Sequence, residues 1–418
     1  MKNALVLILL CMSICSCNDH DTPNASADIL YVQTNNFEDN QNEILAYKNT
    51  GNGILEPLSG SPFKTKGSGV GNPMQILGPL DSDYELRVSS DGQYLLSVNS
   101  GSNTIAVLHI LTDGSLEHVA GSPFPSNGQT PVAIDVSGNF VFVVNKSQDP
   151  LHATPELPNY STFTIDGAGK LTPVQGAKFE TTAGTSPSNA LVSRDGKFLF
   201  GTDFLGFMLM PPVGTLRSFS IDGTGTLTPV AGTPYVVTGM NGAALGLWQH
   251  PSGTVLYVGN PLQGMVGVYA INATTGALTL QTSVNAGKAA CWIRTNKVGN
   301  HMYVLNSADN SVQFYDTSNP MAPASKQTLE LKNSGPSYPG PAGAMFKTSQ
   351  DFSLVFSSKE DILYVVNQHT NVDFSIGNYN FLHTIKIASD GTLTEESEPL
   401  QIPVPNTVRP KGSVVVSR

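Results

Sequence analysis

Five charged or polar side chains stand near the starts of short apolar runs, where they could face a common channel: Arg87, Asp135, Asn189, Arg294 and Lys347. A carboxylate such as Asp135 can take a proton from water, and a guanidinium such as Arg87 or Arg294 can hold negative charge that develops on oxygen. Asn189 and Lys347 are of types that bind polar ligands. Ordinary strand polarity, with alternate residues facing water, is the competing explanation for each. Other chemistries lack their motifs. There is no His-Glu-x-x-His helix, no Gly-x-Ser-x-Gly elbow and no Gly-x-x-x-x-Gly-Lys-Ser/Thr loop, and the 8 histidines lack metal-ligand spacing. Asp39-Asn40-Gln41-Asn42-Glu43 has oxygens for calcium but not the central glycine of a hand-type loop, and reads as a solvated turn. No metal and no cofactor are expected.

The elements that would position these residues are short and repeated. Gly (40) and Pro (28) are abundant in the 418 residues, only 13% are charged and 40% are hydrophobic, which is too turn-rich for a helical bundle and too apolar for a disordered chain. The net charge of −10 argues against nucleic acid as a partner. An apolar run ending in Asn recurs, as Tyr31 to Asn35, Leu96 to Asn99, Phe142 to Asn145, Tyr257 to Asn260, Tyr303 to Asn306 and Tyr364 to Asn367, and a seventh copy, Phe200 to Asp203, ends in Asp. These Asn and Asp residues read as turn caps. A Gly-x-Leu-type turn follows at Gly53, Gly114, Gly169, Gly225, Gly276 and Gly391, and the sixth unit, near Ser325 to Leu331, has lost its glycine. Each unit reads as four strands, A to D, with Asp-Gly and Ser-Gly turns between A and B.

Seven such units make an all-β, seven-bladed β-propeller of four-stranded antiparallel blades over residues 28–418. The first unit starts at strand B, Ile29 to Thr34, and lacks strand A, while Gly412 to Ser417 is an orphan strand at the other end. The last strand should therefore complete the first blade and leave no open edge there. A-to-B and C-to-D turns share one face and are short. B-to-C and D-to-A loops share the other face and are long, at Ser59 to Asp83, Lys146 to Asn159, Asp203 to Gly214, Gln368 to Asn378 and Glu398 to Arg409, so recognition belongs there. One loop is apolar, with Phe204, Phe207, Met208, Leu209, Met210, Pro211 and Pro212, and either packs over the channel mouth or offers a partner surface.

Residues 1–16 read as an export signal, with Lys2 ahead of an apolar run from Ala4 to Leu10 that is too short to span a bilayer. Ile14-Cys15-Ser16-Cys17 resembles a bacterial lipobox, which implies lipidation of Cys17 and a chain held in the cell envelope through that anchor. Residues 17–27 would then be the lipidated cysteine and a flexible tether. An ordinary cleaved secretory signal is the alternative. Cys291 would remain as the one cysteine available, set in an apolar run, and reads as a packed core thiol rather than a nucleophile.

The unit of Asp-Gly turn, Tyr-Val-x-Asn strand end and Gly-x-Leu-Thr resembles the lactonase-type propellers and the related YVTN surface repeats, with His250 to Asn260 as the closest copy. The resemblance covers nearly the whole mature chain. It implies 6-phosphogluconolactonase or muconate-lactone chemistry, for which Asp135 with Arg87 or Arg294 would activate water and polarise the carbonyl. The family's enzymes often carry Pro-Arg-His at an A-strand start and Asn-Glu at a B-strand end. Here the A starts read Pro131-Val132-Ala133, Pro187-Ser188-Asn189, Ala289-Ala290-Cys291, Pro341-Ala342-Gly343 and Pro410-Lys411-Gly412, and the B ends are followed by Ser100, Lys146, Phe204, Pro261, Ser307 and Gln368. Neither motif is present. The expectation is therefore an envelope lipoprotein that binds a small molecule or an envelope protein through its loop-rich face, with a lactonase or a structural surface protein as alternatives.

Overall fold

A computed structural model describes residues 27–418 apart from 73–76, 79–80, 205–213, 238–242, 340–343, 374, 376 and 378. The expected Cys17 anchor, the residues Phe207 to Pro212 of the apolar loop and Pro341-Ala342-Gly343 lie outside the described residues.

The repeats fold as seven antiparallel sheets. Blade 2 shows the pattern: A is Leu86–Val88, B is Tyr94–Asn99, C is Thr104–Ile110 and D is Leu116–His118. Blades 3 to 6 repeat it, with B strands Phe140–Asn145, Phe198–Asp203, Val255–Asn260 and His301–Asn306. Blade 7 runs Ser349–Phe356, Ile362–His369, Phe381–Ile387 and Leu393–Thr394. Its A strand begins later than Pro341 because a hairpin, Ser337–Pro339 with Met345–Lys347, is inserted before it.

Blade 1 closes the ring. The C-terminal strand Ser413–Ser417 pairs antiparallel with Asp28–Gln33, in register Asp28↔Ser417 to Val32↔Ser413. The first described residue meets the C-terminus on the short-turn face, where Ala27 and Arg418 exchange backbone hydrogen bonds of 2.6 and 2.9 Å and the Arg418 guanidinium donates to the Gly92 carbonyl in an A-to-B turn.

The cores lie between blades, and the two sequence markers make them. The B-strand tyrosines reach across to the next blade's C-to-D turn: Tyr31 Oη donates to the Gly114 carbonyl (2.6 Å), Tyr94 to Gly167 (2.9 Å) and Tyr303 to Gly391 (2.9 Å). The turn glycines adopt positive φ, +86° at Gly114 and +89° at Gly391, and a Cβ there would sit 2.7 Å from Ile29 and 2.2 Å from Phe314. Only glycine satisfies both demands. The Asn strand ends also cap, but through neighbouring strands: Asn99 Nδ2 donates to Thr104 across the B–C hairpin (3.1 Å), and its Oδ1 accepts from Thr65 (2.7 Å).

Candidate functional site

The axis of the ring is filled by the chain itself. The D-to-A connection into blade 2 passes through the centre as Asp81-Ser82-Asp83-Tyr84-Glu85. Tyr84 holds a φ of +75°, is 3% exposed, and its Oη donates to the Leu247 carbonyl of blade 5 (2.6 Å). Trp292 of blade 6 donates to the Ser82 carbonyl (3.2 Å). Lys411, just before the closing strand, binds Ser82 Oγ (2.9 Å) and the Glu85 carboxylate (3.0 Å). Along this segment Asp83 faces Arg294, Glu85 faces Lys411, and the Asp81 backbone carbonyl accepts from Lys146 Nζ (3.4 Å).

This plug takes up the charges that the sequence marks out. Arg294 donates in bidentate fashion to Asp83, with Nη1 and Nη2 at 3.0 and 2.9 Å from its two oxygens, and stacks over Tyr84 and Trp248 at 4.6 and 5.1 Å from their centroids. Arg87 pairs with Asp135 (3.1 Å) and also lies over the Tyr84 ring, 3.8 Å from its centroid. Asp135 is committed further, accepting from the backbone N–H groups of Val136 (2.9 Å) and Val192 (2.7 Å). Burial raises its pKa, opposed first by Arg87. Arg87, Asp135 and Arg294 are thus brought together around one tyrosine, and each is already paired.

The two expected ligand-binding residues sit elsewhere. Asn189 is fully buried, and its Nδ2 donates to Thr202 Oγ1 (3.1 Å) and to the Leu245 carbonyl. Lys347 belongs to the inserted hairpin and turns outward to Glu330 of blade 6 (2.9 Å), so it does not line the channel. Phe204, the described member of the apolar loop, packs against the Cys291 and Trp292 cluster. Cys291 is buried, and burial pushes its thiol well up, as befits a core residue.

At the loop-rich end of the channel stands Lys146, 4% exposed. Desolvation lowers its pKa to about 8, opposed by Asp81. Further out on the same face, between blades 3 and 4, a cleft of about 420 Å³ is lined by Phe179, Glu180, Thr181, Thr182, Thr185, Asp203, Thr215, Arg217 and Pro234. Its floor is a buried ion pair, Arg217 Nε to Asp203 Oδ2 at 2.7 Å, the side chains 6% and 1% exposed. Thr215 Oγ1 donates to the same carboxylate oxygen. Neither Lys146 nor this pair was a sequence candidate. The signal for the pair was there: Asp203 is the one repeat end that is not Asn.

A ring of seven four-stranded blades whose axis is closed by one of its own loops defines a rigid propeller with its open recess on the loop-rich face. The chain belongs to the lactonase, 7-bladed beta-propeller family, whose model matches residues 79–154 and 159–336. Similar solved structures include a Bacteroides fragilis protein provisionally named a 6-phosphogluconolactonase (15% identity, TM-score 0.66, covering 95% of this chain and 100% of that one). Another is the periplasmic gluconolactonase of Pseudomonas aeruginosa (16% identity, TM-score 0.67, 93% and 99%). A third is a protein from Lactobacillus plantarum (15% identity, TM-score 0.64, 94% and 99%). At these identities the likeness is one of fold. No curated protein matches the sequence.

Proposed function

We propose that this protein is an exported, lipid-anchored propeller that recognises a small molecule or an envelope protein through its loop-rich face. The observation that carries the reading is the state of the channel: Arg87, Asp135 and Arg294 are neutralised by one another and by the plug, while the described residues form a cleft on the face with the long loops. A lactone hydrolase needs a cation free to meet a carbonyl oxygen and a base free to meet water. Both are occupied in the channel. Anchoring rests on the lipobox-like Ile14 to Cys17, and a Cys17→Ser chain is expected in the soluble rather than the membrane fraction.

The second reading is opening of a sugar lactone, which family membership favours. Hydrolysis of a panel including D-glucono-1,5-lactone separates the two. The binding reading expects no rate above buffer, and it expects Arg294→Ala to lower stability by about 3–5 kcal/mol, because Asp83 is left as an unpaired buried charge. Turnover that vanishes in Arg294→Ala while the melting temperature holds would establish the lactonase instead.

A further inference from the structure

Below the plug, toward the short-turn face, the channel is open to solvent. Strand A is the innermost strand of each blade, so exposure of its middle residues comes from the axis. Toward the loop-rich side it is sealed, with Ala133, Ala190 and Ala290 each 0% exposed. Nearer the short turns exposure returns: the Arg87 side chain is 23% exposed, and Val192, Trp248, Val355 and Val414 are half-buried. These residues ring a mouth whose floor is the Tyr84 ring. Arg87 and Arg294 both reach that ring, at 3.8 and 4.6 Å from its centroid, so the mouth is about two extended arginine side chains across.

The mouth holds unused donors. Arg87 spends Nε on Asp135 (3.1 Å) and on the Ile134 carbonyl (3.3 Å), and its terminal nitrogens have no hydrogen-bond partner among the described residues. Arg194, in the A-to-B turn of blade 4, is exposed and within electrostatic reach of Tyr84. Its backbone N–H donates to Gln249 (2.7 Å), but its guanidinium has neither a hydrogen bond nor an ion pair among the described residues. The acceptors of the same inner rim are already engaged. Asp91 accepts from Ser89 (2.5 Å), Asp195 from Ser193 (2.7 Å) with Lys197 at 3.3 Å, Asp28 from the Ser358 N–H (2.8 Å) and the Arg418 carbonyl from the Ala27 N–H (2.6 Å). What the rim has in surplus is guanidinium N–H, whose strongest partner is a carboxylate.

A bilayer and the chain's own stem both come near this face. The outer turns argue against a flat anionic surface. The C-to-D turns lie two strand spacings, about 10 Å, outside strand A. They carry exposed aspartates at Asp113, Asp166, Asp222 and Asp390, which would meet an anionic bilayer first. A single extended strand can pass inside them. Residues 18–26, Asn-Asp-His-Asp-Thr-Pro-Asn-Ala-Ser, precede Ala27, which stands on this same rim. They contain Asp19 and Asp21 and no Lys or Arg. From Asp21 to Ala27 the chain spans up to about 20 Å, enough to cross the mouth from blade 1 to Arg194 of blade 4. Attachment at Ala27 also gives the segment a high effective concentration, so modest contacts suffice to hold it.

We propose that residues 18–26 dock across the short-turn mouth of the channel, with Asp19 and Asp21 on the guanidiniums of Arg194 and Arg87, which brings Cys17 beneath the axis of the ring. This rests on the mature chain beginning at Cys17. The test is hydrogen–deuterium exchange on the full mature chain in detergent, after its intact mass has been read. Amides of residues 18–26 should exchange at least fivefold more slowly than in the Asp19→Asn/Asp21→Asn chain, whose substitutions lie outside the ring. Arg194→Gln should remove the same protection with an unchanged melting temperature, because Arg194 is exposed and unpaired. Lys197→Gln, at a paired cation of the same turn, should leave the protection in place. Carbodiimide treatment of the Arg194→Lys chain should join the introduced amine to the carboxyl of Asp19 or Asp21 as an amide, the carbodiimide taking up the water that is lost. Exchange as fast as in the Asp19→Asn/Asp21→Asn chain, protection indifferent to Arg194→Gln, or protection that appears only on phosphatidylglycerol vesicles would each overturn the docking and leave loop-face recognition standing. A mature chain shown by its mass to lack Asp19 and Asp21 would overturn the docking together with the Cys17 reading.

Discussion

At the scale of single residues, polarity picked out side chains that do converge. Arg87, Asp135 and Arg294 come from three A strands and meet around Tyr84. Their partner Asp83 was not legible, since the plug occurs once and periodicity exposes only what recurs. Lys146 was passed over as the residue following a strand end, although it is among the most buried cations in the molecule. Its burial has a consequence for stability. The lysine falls to about 8 in the folded chain, against about 10.4 when exposed on unfolding. Between those values the unfolded chain holds a proton that the native chain has released, so native stability rises with pH across that window and the gain is lost as pH falls through about 8. Lys146→Met removes this dependence. Denaturant unfolding at pH 7 and pH 10 should show the wild type gaining roughly 2–3 kcal/mol relative to the variant. Parallel curves would place the lysine in a wetter setting than its burial indicates.

At the scale of the element, the sequence was most readable where one contact repeats. Where a B strand carries the tyrosine and the next blade keeps its turn glycine, as with Tyr31 and Gly114 or Tyr303 and Gly391, the two are halves of one interblade joint, whereas Tyr257 donates instead to the Pro320 carbonyl of blade 6, which has lost its glycine. Gly391 shows the constraint at its tightest, with positive φ and Phe314 at 2.2 Å from the place of a Cβ. Gly391→Ala should destabilise the chain by about 2–4 kcal/mol, combining backbone strain with a steric clash against a buried ring. Gly92→Ala makes a useful comparison, because its φ is also positive at +74° but nothing lies within 4 Å. It should cost only the backbone part, roughly 1 kcal/mol. Equal losses at the two sites, measured by chemical denaturation, would mean that the ring contact contributes nothing. The grammar failed at blade 7, whose A strand was placed at Pro341. The hairpin ending at Lys347 had been inserted there, and an insertion carries no periodic signal of its own.

At the scale of the whole molecule, seven units and their closure were legible because the missing strand at one end and the surplus strand at the other are complementary. Removal of Gly412 to Arg418 strips the ladder from Asp28 to Val32 and leaves Leu30 and Tyr31, now 1% and 0% exposed, at an open edge. The shortened chain should melt on the order of 10 °C lower or aggregate. A truncated protein that melts with the parent would mean the ring is held shut by the plug alone. The axial segment itself, which touches blades 1, 5 and 6, ties distant sectors together, so loosening one sector should be felt across the diameter.

The meeting of Ala27 and Arg418 on the short-turn side also sets a direction. If the chain is anchored in lipid at Cys17, as proposed, the ring is joined to its anchor at Ala27, on the underside, like the bowl of a goblet on its stem. The rim with Asp203 and Arg217 would then look away from the bilayer, toward solutes diffusing through the surrounding water, and any companion protein would have to approach from that outer side.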